Sequence, residues 1–165
     1  MAQDSRDRPA DKPADSGAGD TGNAVTIEIV EVVTTDVVAA FEHLIPQLSS
    51  SSPPPTRADL EAIATAGDSA LFVARVDGAI VGSLTLACYR IPTGYKAWIE
   101  DVVVGDQVRG RGVGEALNRA AIDLARSWGA KNVSLTSRPS REAANRLYQR
   151  LGFVPYDTNL YRFTL

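Results

Sequence analysis

The run Arg109-Gly110-Arg111-Gly112-Val113-Gly114 places three alternate glycines and two arginines directly ahead of a strongly periodic helical segment. Glycine permits positive φ and close backbone approach, a helix start offers unpaired N–H groups, and arginine adds formal positive charge. The combination is an anion cradle, and phosphate is the anion it suits best. Each favourable charge contact at a helix terminus contributes about 0.3–1 kcal/mol, so several backbone donors together hold a pyrophosphate where one arginine would not. Spacing narrows the ligand further. A Walker loop needs Lys and then Ser or Thr after its second Gly, whereas Gly110 is followed by Arg111 and Gly112, leaving no hydroxyl for magnesium. A dinucleotide fingerprint needs its third Gly three places beyond the second, where Glu115 would face the pyrophosphate with a carboxylate. A Gly-rich turn with a purely structural role stands as the alternative.

The elements that must position this loop follow from periodicity. Residues 25–30 are β-branched and read as a strand, and Val37, Val38, Phe41, Leu44 and Ile45 recur at helical spacing after Thr34-Thr35-Asp36. Residues 49–55 break the chain before a second helix over about 57–66. Residues 70–76 and 80–87 bracket Asp77-Gly78, a hairpin signal. A strand over about 97–104 carries Glu100 and Asp101 in its middle and runs into the glycine loop. After it, Val113, Ala116, Leu117, Ala120, Ala121, Leu124 and Ala125 form one apolar helical face ending at Gly129. A short strand, 133–136, precedes a helix opened by Pro139 and closed by Gly152, and residues 153–156 and 160–164 read as final strands. This order gives an α/β fold with a mixed sheet, and ligands of such sheets bind where neighbouring strands diverge.

Composition bounds the function class. At 165 residues the chain is long enough for one domain with a real core, and its formal net charge of −3 argues against general nucleic-acid binding. The basic cluster Arg138, Arg141, Arg146 and Arg150 is interrupted by Glu142, so no nucleic-acid partner is expected. One cysteine, Cys88, forms no internal disulfide, and no apolar run approaches the roughly 20 residues of a membrane span. The expectation is a soluble cytoplasmic protein with no membrane partner. Residues 1–24 are polar, Pro- and Gly-rich, and read as a flexible N-terminal tail ahead of a single domain over 25–165.

Four segments together resemble the GNAT superfamily of acetyl-CoA-dependent N-acetyltransferases, over about residues 26–165. They are the Arg-x-x-Gly-x-Gly loop from Arg109 to Gly114, Ile99-Glu100-Asp101-Val102-Val103-Val104 before it, Asn145-Arg146-Leu147-Tyr148, and Leu151-Gly152-Phe153. The Glu100-Asp101 pair is similar to that of glucosamine-6-phosphate N-acetyltransferases, although many small-amine acetyltransferases share it. The resemblance implies a GNAT-like α/β fold, with a mixed, mostly antiparallel sheet of six to seven strands and about four helices. It implies acetyl-CoA as cosubstrate, a small-molecule or peptide amine as acceptor, and an assembly for which a homodimer is a candidate.

On that resemblance, the backbone N–H groups of Arg111, Gly112, Val113 and Gly114 are candidates to hold the CoA pyrophosphate, with Gly110 in the same turn. Backbone groups of Val102, Val103 and Val104 pair with the pantetheine amides as another strand would. Arg109 and Arg111 either contact phosphate or are solvated loop charges. Glu100 is the candidate base, acting directly or through water, with its in-strand neighbour Asp101 on the opposite face. Tyr148 is the candidate proton donor to the leaving thiolate, against the alternative of a packed core tyrosine, and Asn145 one turn earlier is a candidate cofactor contact. Cys88 is disfavoured as an acyl carrier because His43, the one histidine, sits in a distant helix. No cluster of His or Cys suggests a metal site. A non-catalytic acyl-CoA-binding or sensing module with the same fold is the competing reading.

Overall fold

Asp77 and Gly78 turn the chain back on itself at φ of 50° and 80°, and the sheet grows outward from that turn. It joins β2 (Ser69–Val76) to β3 (Ala79–Ile91) as the expected hairpin. A computed structural model of the chain describes residues 24–165; the tail expected over 1–24 lies outside the described residues, Ala24 excepted. β1 (Thr26–Ile29) pairs antiparallel with β2, and β4 (Gly94–Val104) pairs antiparallel with β3. β5 (Val133–Leu135) then joins β4 in parallel, giving one five-stranded sheet in the order β1-β2-β3-β4-β5.

Alternation along the strands feeds two cores. Phe72, Ala74, Leu84, Leu86, Ala97 and Ile99 face α3 (Val113–Ser127), which answers with Val113, Leu117, Ala121 and Ala125. Leu71 and Val73 on the other face meet Val37, Phe41 and Ile45 of α1 (Thr35–Leu48) and Leu60 of α2 (Arg57–Thr65). Gly82 lets α3 lie directly on β3: a Cβ there would stand 3.0 Å from the Val103 carbonyl oxygen and 3.1 Å from Val113 Cγ1. α2 opens on a capping box in which the Thr56 N–H donates to Asp59 Oδ2 at 2.8 Å and the Asp59 N–H to Thr56 Oγ1 at 3.2 Å. Arg75 ties three elements together. It pairs with Glu28 of β1 at 2.9 Å and Asp36 of α1 at 2.8 Å, and donates to the Gly78 carbonyl at 3.0 Å.

Three sequence expectations are corrected. The sheet has five strands and not six to seven, because residues 153–156 and 160–164 pair with nothing. Val154, Tyr156, Leu160, Tyr161 and Phe163 are instead between 69% and 87% exposed. Their β-branched and aromatic character favours a strand locally, but a strand persists only where an edge accepts it, and β5 offers three residues. β3 and β4 extend past the predicted ends to a second tight turn, Ile91 pairing with Gly94. The last helix, α4 (Glu142–Arg150), begins three residues after Pro139 because the chain first turns, the Arg141 N–H donating to the Arg138 carbonyl at 3.0 Å.

Leu117 has no exposed surface and sits where α3 meets the sheet. Leu117→Ala is expected to lower unfolding free energy by about 2–5 kcal/mol in a denaturant titration, through lost burial and the cavity left behind.

Candidate active site

One extra residue in β4 shapes the site. Ser83 pairs with Val103 and Thr85 with Glu100, so Leu84 alone on β3 faces both Asp101 and Val102 on β4. Asp101 is the bulged residue and adopts φ 50°, a conformation that is uncommon without glycine and that concentrates at functional sites. Simple strand alternation is interrupted there. Ahead of the bulge Ala97 and Ile99 face α3; beyond it Val102 and Val104 do. β5 pairs only with Ala97, Trp98 and Ile99, so from Glu100 to Val104 the outer backbone edge of β4 has no strand partner.

That free edge forms one wall of a groove of about 840 Å³. Val102, Val103 and Val104 line it beside Arg109, Gly110, Gly112, Val113 and Gly114, with Tyr148 on the α4 side. Gly110 and Gly112 both take φ 79° with open space where a Cβ would point, so it is the left-handed backbone that calls for glycine there. Gly112 is the residue before α3, and the N–H groups of Gly112, Val113 and Gly114 open the helix, where the first turn has no carbonyls to receive them. Arg111 departs from the expected set, since its N–H donates to the Val108 carbonyl at 3.3 Å. A Cβ on Gly114 would stand 3.1 Å from Leu147 Cδ2, so the bare backbone there allows α4 to close on α3.

Side-chain charges at the groove mostly answer one another. Arg109 pairs with Asp106 at 2.6 Å, Arg146 with Glu142 at 3.4 Å, and Arg119 with Glu115 at 2.8 Å. Arg141 and Arg150 also line the groove, without a carboxylate partner among the described residues. Asn145 does not line the groove; its Nδ2 donates to the Arg138 carbonyl at 3.0 Å and fixes the turn into α4. Tyr148 is half-buried, with its ring edge-on to Phe153 at 5.9 Å. Loss of solvent pushes its phenol up, and the Arg141 charge pulls the other way.

Glu100 stands two residues before the groove's first valine, ahead of the bulge, and lines the neighbouring surface and not the groove itself. Desolvation raises its carboxyl above the ordinary value, the Asp101 charge raises it further, and the Trp98 indole N–H opposes both. The folded chain therefore holds this proton more tightly than the unfolded one. That contribution to stability is full below the ordinary glutamate range and is lost as pH rises through the shifted value. Cys88 is buried in the α3-side core, where burial pushes its thiol up, while His43 is exposed on α1 across the sheet. They do not form a nucleophile–base pair.

Sequence reasoning missed three contributors. Asn118, with no exposed surface, donates from Nδ2 to the Gly114 carbonyl at 2.8 Å and secures the first turn of α3. Its signal was a polar residue four places after Gly114 on an otherwise apolar face. Gln47 Oε1 accepts from the Asp106 N–H at 3.0 Å, and Arg141 Nη2 donates to the Leu48 carbonyl at 2.9 Å. These two bonds tie the end of α1 to both sides of the groove, and their long sequence separation leaves no local signature.

A strand edge, a bare helix start and a tyrosine thus meet around one groove, in a fold that known proteins share. The acetyltransferase (GNAT) family model matches residues 37–153, and the chain belongs to that family. It is similar to glucosamine 6-phosphate N-acetyltransferase 1 of Oryza sativa subsp. japonica, 32% identical over 155 residues, covering 84% of this chain and 87% of the relative. It is also similar to N-alpha-acetyltransferase 30 of Schizosaccharomyces pombe, 33% identical over 73 residues, or 44% of this chain. Of that yeast relative the match spans about half the length, 48%. Among solved structures, a Trypanosoma brucei acetyltransferase is 27% identical with a TM-score of 0.68, covering 86% of this chain and 100% of that one. An aminoglycoside N-acetyltransferase solved in complex with CoA shares the fold at 21% identity and a TM-score of 0.73, covering 87% and 96%.

The opposing influences on Glu100 are separable. Asp101→Asn is expected to bring the Glu100 midpoint down toward the ordinary glutamate value in a carboxyl-carbon NMR titration. An unmoved midpoint would remove Asp101 as a cause.

Proposed function

We propose that this chain binds acetyl-CoA in the groove and transfers the acetyl group directly to a primary amine. The observation that carries the reading is the meeting of an unpaired β4 edge, Val102–Val104, with the free N–H groups that open α3. The first suits the two amides of a pantetheine arm, which add to a strand edge as a further strand would. The second suits a pyrophosphate, held by backbone donors and the positive end of α3. Family membership supports acetyl-CoA as the cosubstrate, and relatives named glucosamine 6-phosphate N-acetyltransferase and N-alpha-acetyltransferase support an amine acceptor, of small-molecule or peptide type.

With the pyrophosphate at Gly110–Gly114 and the arm along Val102–Val104, the thioester reaches the bulge and Glu100. An alkylammonium with a pKa of about 10.4 is less than about one part in a thousand neutral at pH 7, a barrier of roughly 4–5 kcal/mol. Glu100 takes that proton, directly or through water, and its upward shift brings it closer to the pH at which it works. The amine nitrogen then bonds to the thioester carbon, the carbonyl pair moves to oxygen, and a tetrahedral intermediate forms; it collapses as the C–S bond breaks and the nitrogen gives up its second proton. Tyr148, whose phenol keeps its proton at neutral pH, gives that proton to the departing thiolate and regains one from the nitrogen, leaving amide, free thiol and the proton held by Glu100 for release to water. Direct transfer fits the burial of Cys88 and its separation from His43.

Glu100→Gln is expected to lower kcat/KM by about 10²–10⁴-fold with acetyl-CoA affinity unchanged, and Tyr148→Phe to lower kcat by a smaller factor within that range. Gly112→Ala places a Cβ on left-handed backbone at a strain of about 1–2 kcal/mol, so acetyl-CoA affinity by titration calorimetry should fall about five- to thirty-fold. The deciding experiment pairs acetyl-CoA calorimetry with free-thiol release across a panel of amines. Binding with thiol release supports transfer; binding with none across the panel overturns it in favour of an acyl-CoA sensing module.

A further inference from the structure

The indole Nε1 of Trp98 is buried, and no acceptor among the described residues receives its hydrogen. Indole N–H is a donor only, and leaving it unpaired in the interior costs more than leaving it in water, so a working partner is expected. Strand geometry says where that partner lies. Trp98 and Glu100 are separated by one residue, both ahead of the bulge, and so project from the same face of β4. Their cross-strand partners Ala87 and Thr85 share that face, as does Leu71 opposite Thr85, and Leu71 packs in the core beneath α1 and α2. Trp98 and Glu100 therefore sit side by side on the α1 face of the sheet, one with a buried donor that meets no acceptor in full hydrogen-bonding geometry and the other with an exposed carboxylate close enough to feel that donor.

We propose that Trp98 is a positioning residue for Glu100, its indole N–H donating to the ionised carboxylate and fixing the direction in which that carboxylate meets the acceptor amine. This rests on the reading of Glu100 as the base. A donor that can neither accept nor lose a proton is suited to the task, since it favours the ionised base without competing for the amine's proton. The influence of the Trp98 N–H on Glu100 runs in the required direction, against desolvation and against Asp101. Of the other charged groups nearby, Asp36 of α1 is held by Arg75, Glu42 and His43 of α1 are exposed, Lys96 shares the face of β4 but is exposed two residues before Trp98, and the β3 neighbour Thr85 carries no charge.

The test reads the pair in the unmodified protein first. The Trp98 indole resonance, assigned by comparison with Trp128→Phe, should titrate with the same midpoint as the Glu100 carboxyl carbon; an indole signal flat through that midpoint overturns the proposal. Trp98→Phe, which keeps the ring and removes the N–H, should raise the Glu100 midpoint and the acidic limb of kcat/KM together by about one pH unit. Acetyl-CoA affinity should not change. A Trp98→Phe protein with both midpoints unmoved also overturns it. Failure of the underlying reading looks different: if Glu100→Gln retains turnover, Glu100 is not the base, whereas the indole and carboxyl titrations still report whether the two groups are bonded.

Discussion

Backbone amides and carbonyls along a strand must find partners, and in this protein the outer edge of β4 from Glu100 to Val104 has none within the sheet. β5 accompanies β4 for only three pairs, Ala97–Val133, Trp98–Ser134 and Ile99–Leu135, and the two then part. The parting is not a defect of packing. The bulge at Asp101 adds a residue to β4 directly after its last pair with β5, and bulges bend a strand and increase its twist, while residues of α3 and α4 line the opening. A groove whose wall is unsatisfied main chain selects for a ligand that resembles a strand, and the pantetheine arm, with its two amides, is such a ligand.

The charges around the glycine loop are largely spent on one another. Arg109 and Arg146, which a reading by charge would assign to phosphate, are paired to Asp106 and Glu142 on their own elements. The unpaired backbone donors lie in the first turn of α3. Its position is fixed from below by Gly82, which seats the helix on β3, and from within by Asn118, which holds the Gly114 carbonyl. Exposed ion pairs of this kind contribute roughly 0–1 kcal/mol each, so they add little to the stability of the fold.

Most of the architecture was legible because its signals are local. Asp77-Gly78 specifies a hairpin through two positive φ values, and the apolar stripe from Val113 to Ala125 specifies both a helix and its buried face. The glycine loop was legible as a strand-to-helix turn with positive φ for the same reason. What escaped depends on partners distant in sequence. The acidic pair in a strand marked residues 100 and 101 as unusual, but only the register against β3 makes Asp101 a bulge. The final residues carry strand-forming side chains and still make no strand, since pairing requires an edge that propensity does not record. Asn145 was placed on the correct helix, yet its amide serves the turn at Arg138, a demand created by the late start of α4.

The bulge also separates two tasks that would collide on a regular strand. Without the extra residue, strict alternation would keep Glu100 in phase with Val102 and Val104, and its carboxylate would share their face. With it, Glu100 stays in the row of Thr85 and Leu71, exposed on the α1 face, while Val102 and Val104 turn to the α3 side and their edge lines the groove. One inserted residue thus places an acidic side chain and a backbone rail on adjacent positions of one strand, facing different neighbours. The end of α1 is bonded to both rims of the groove, through Gln47 to Asp106 and through Leu48 to Arg141. The helix over the acidic side and the walls of the rail are therefore held in one frame, and a shift of either element must strain the other.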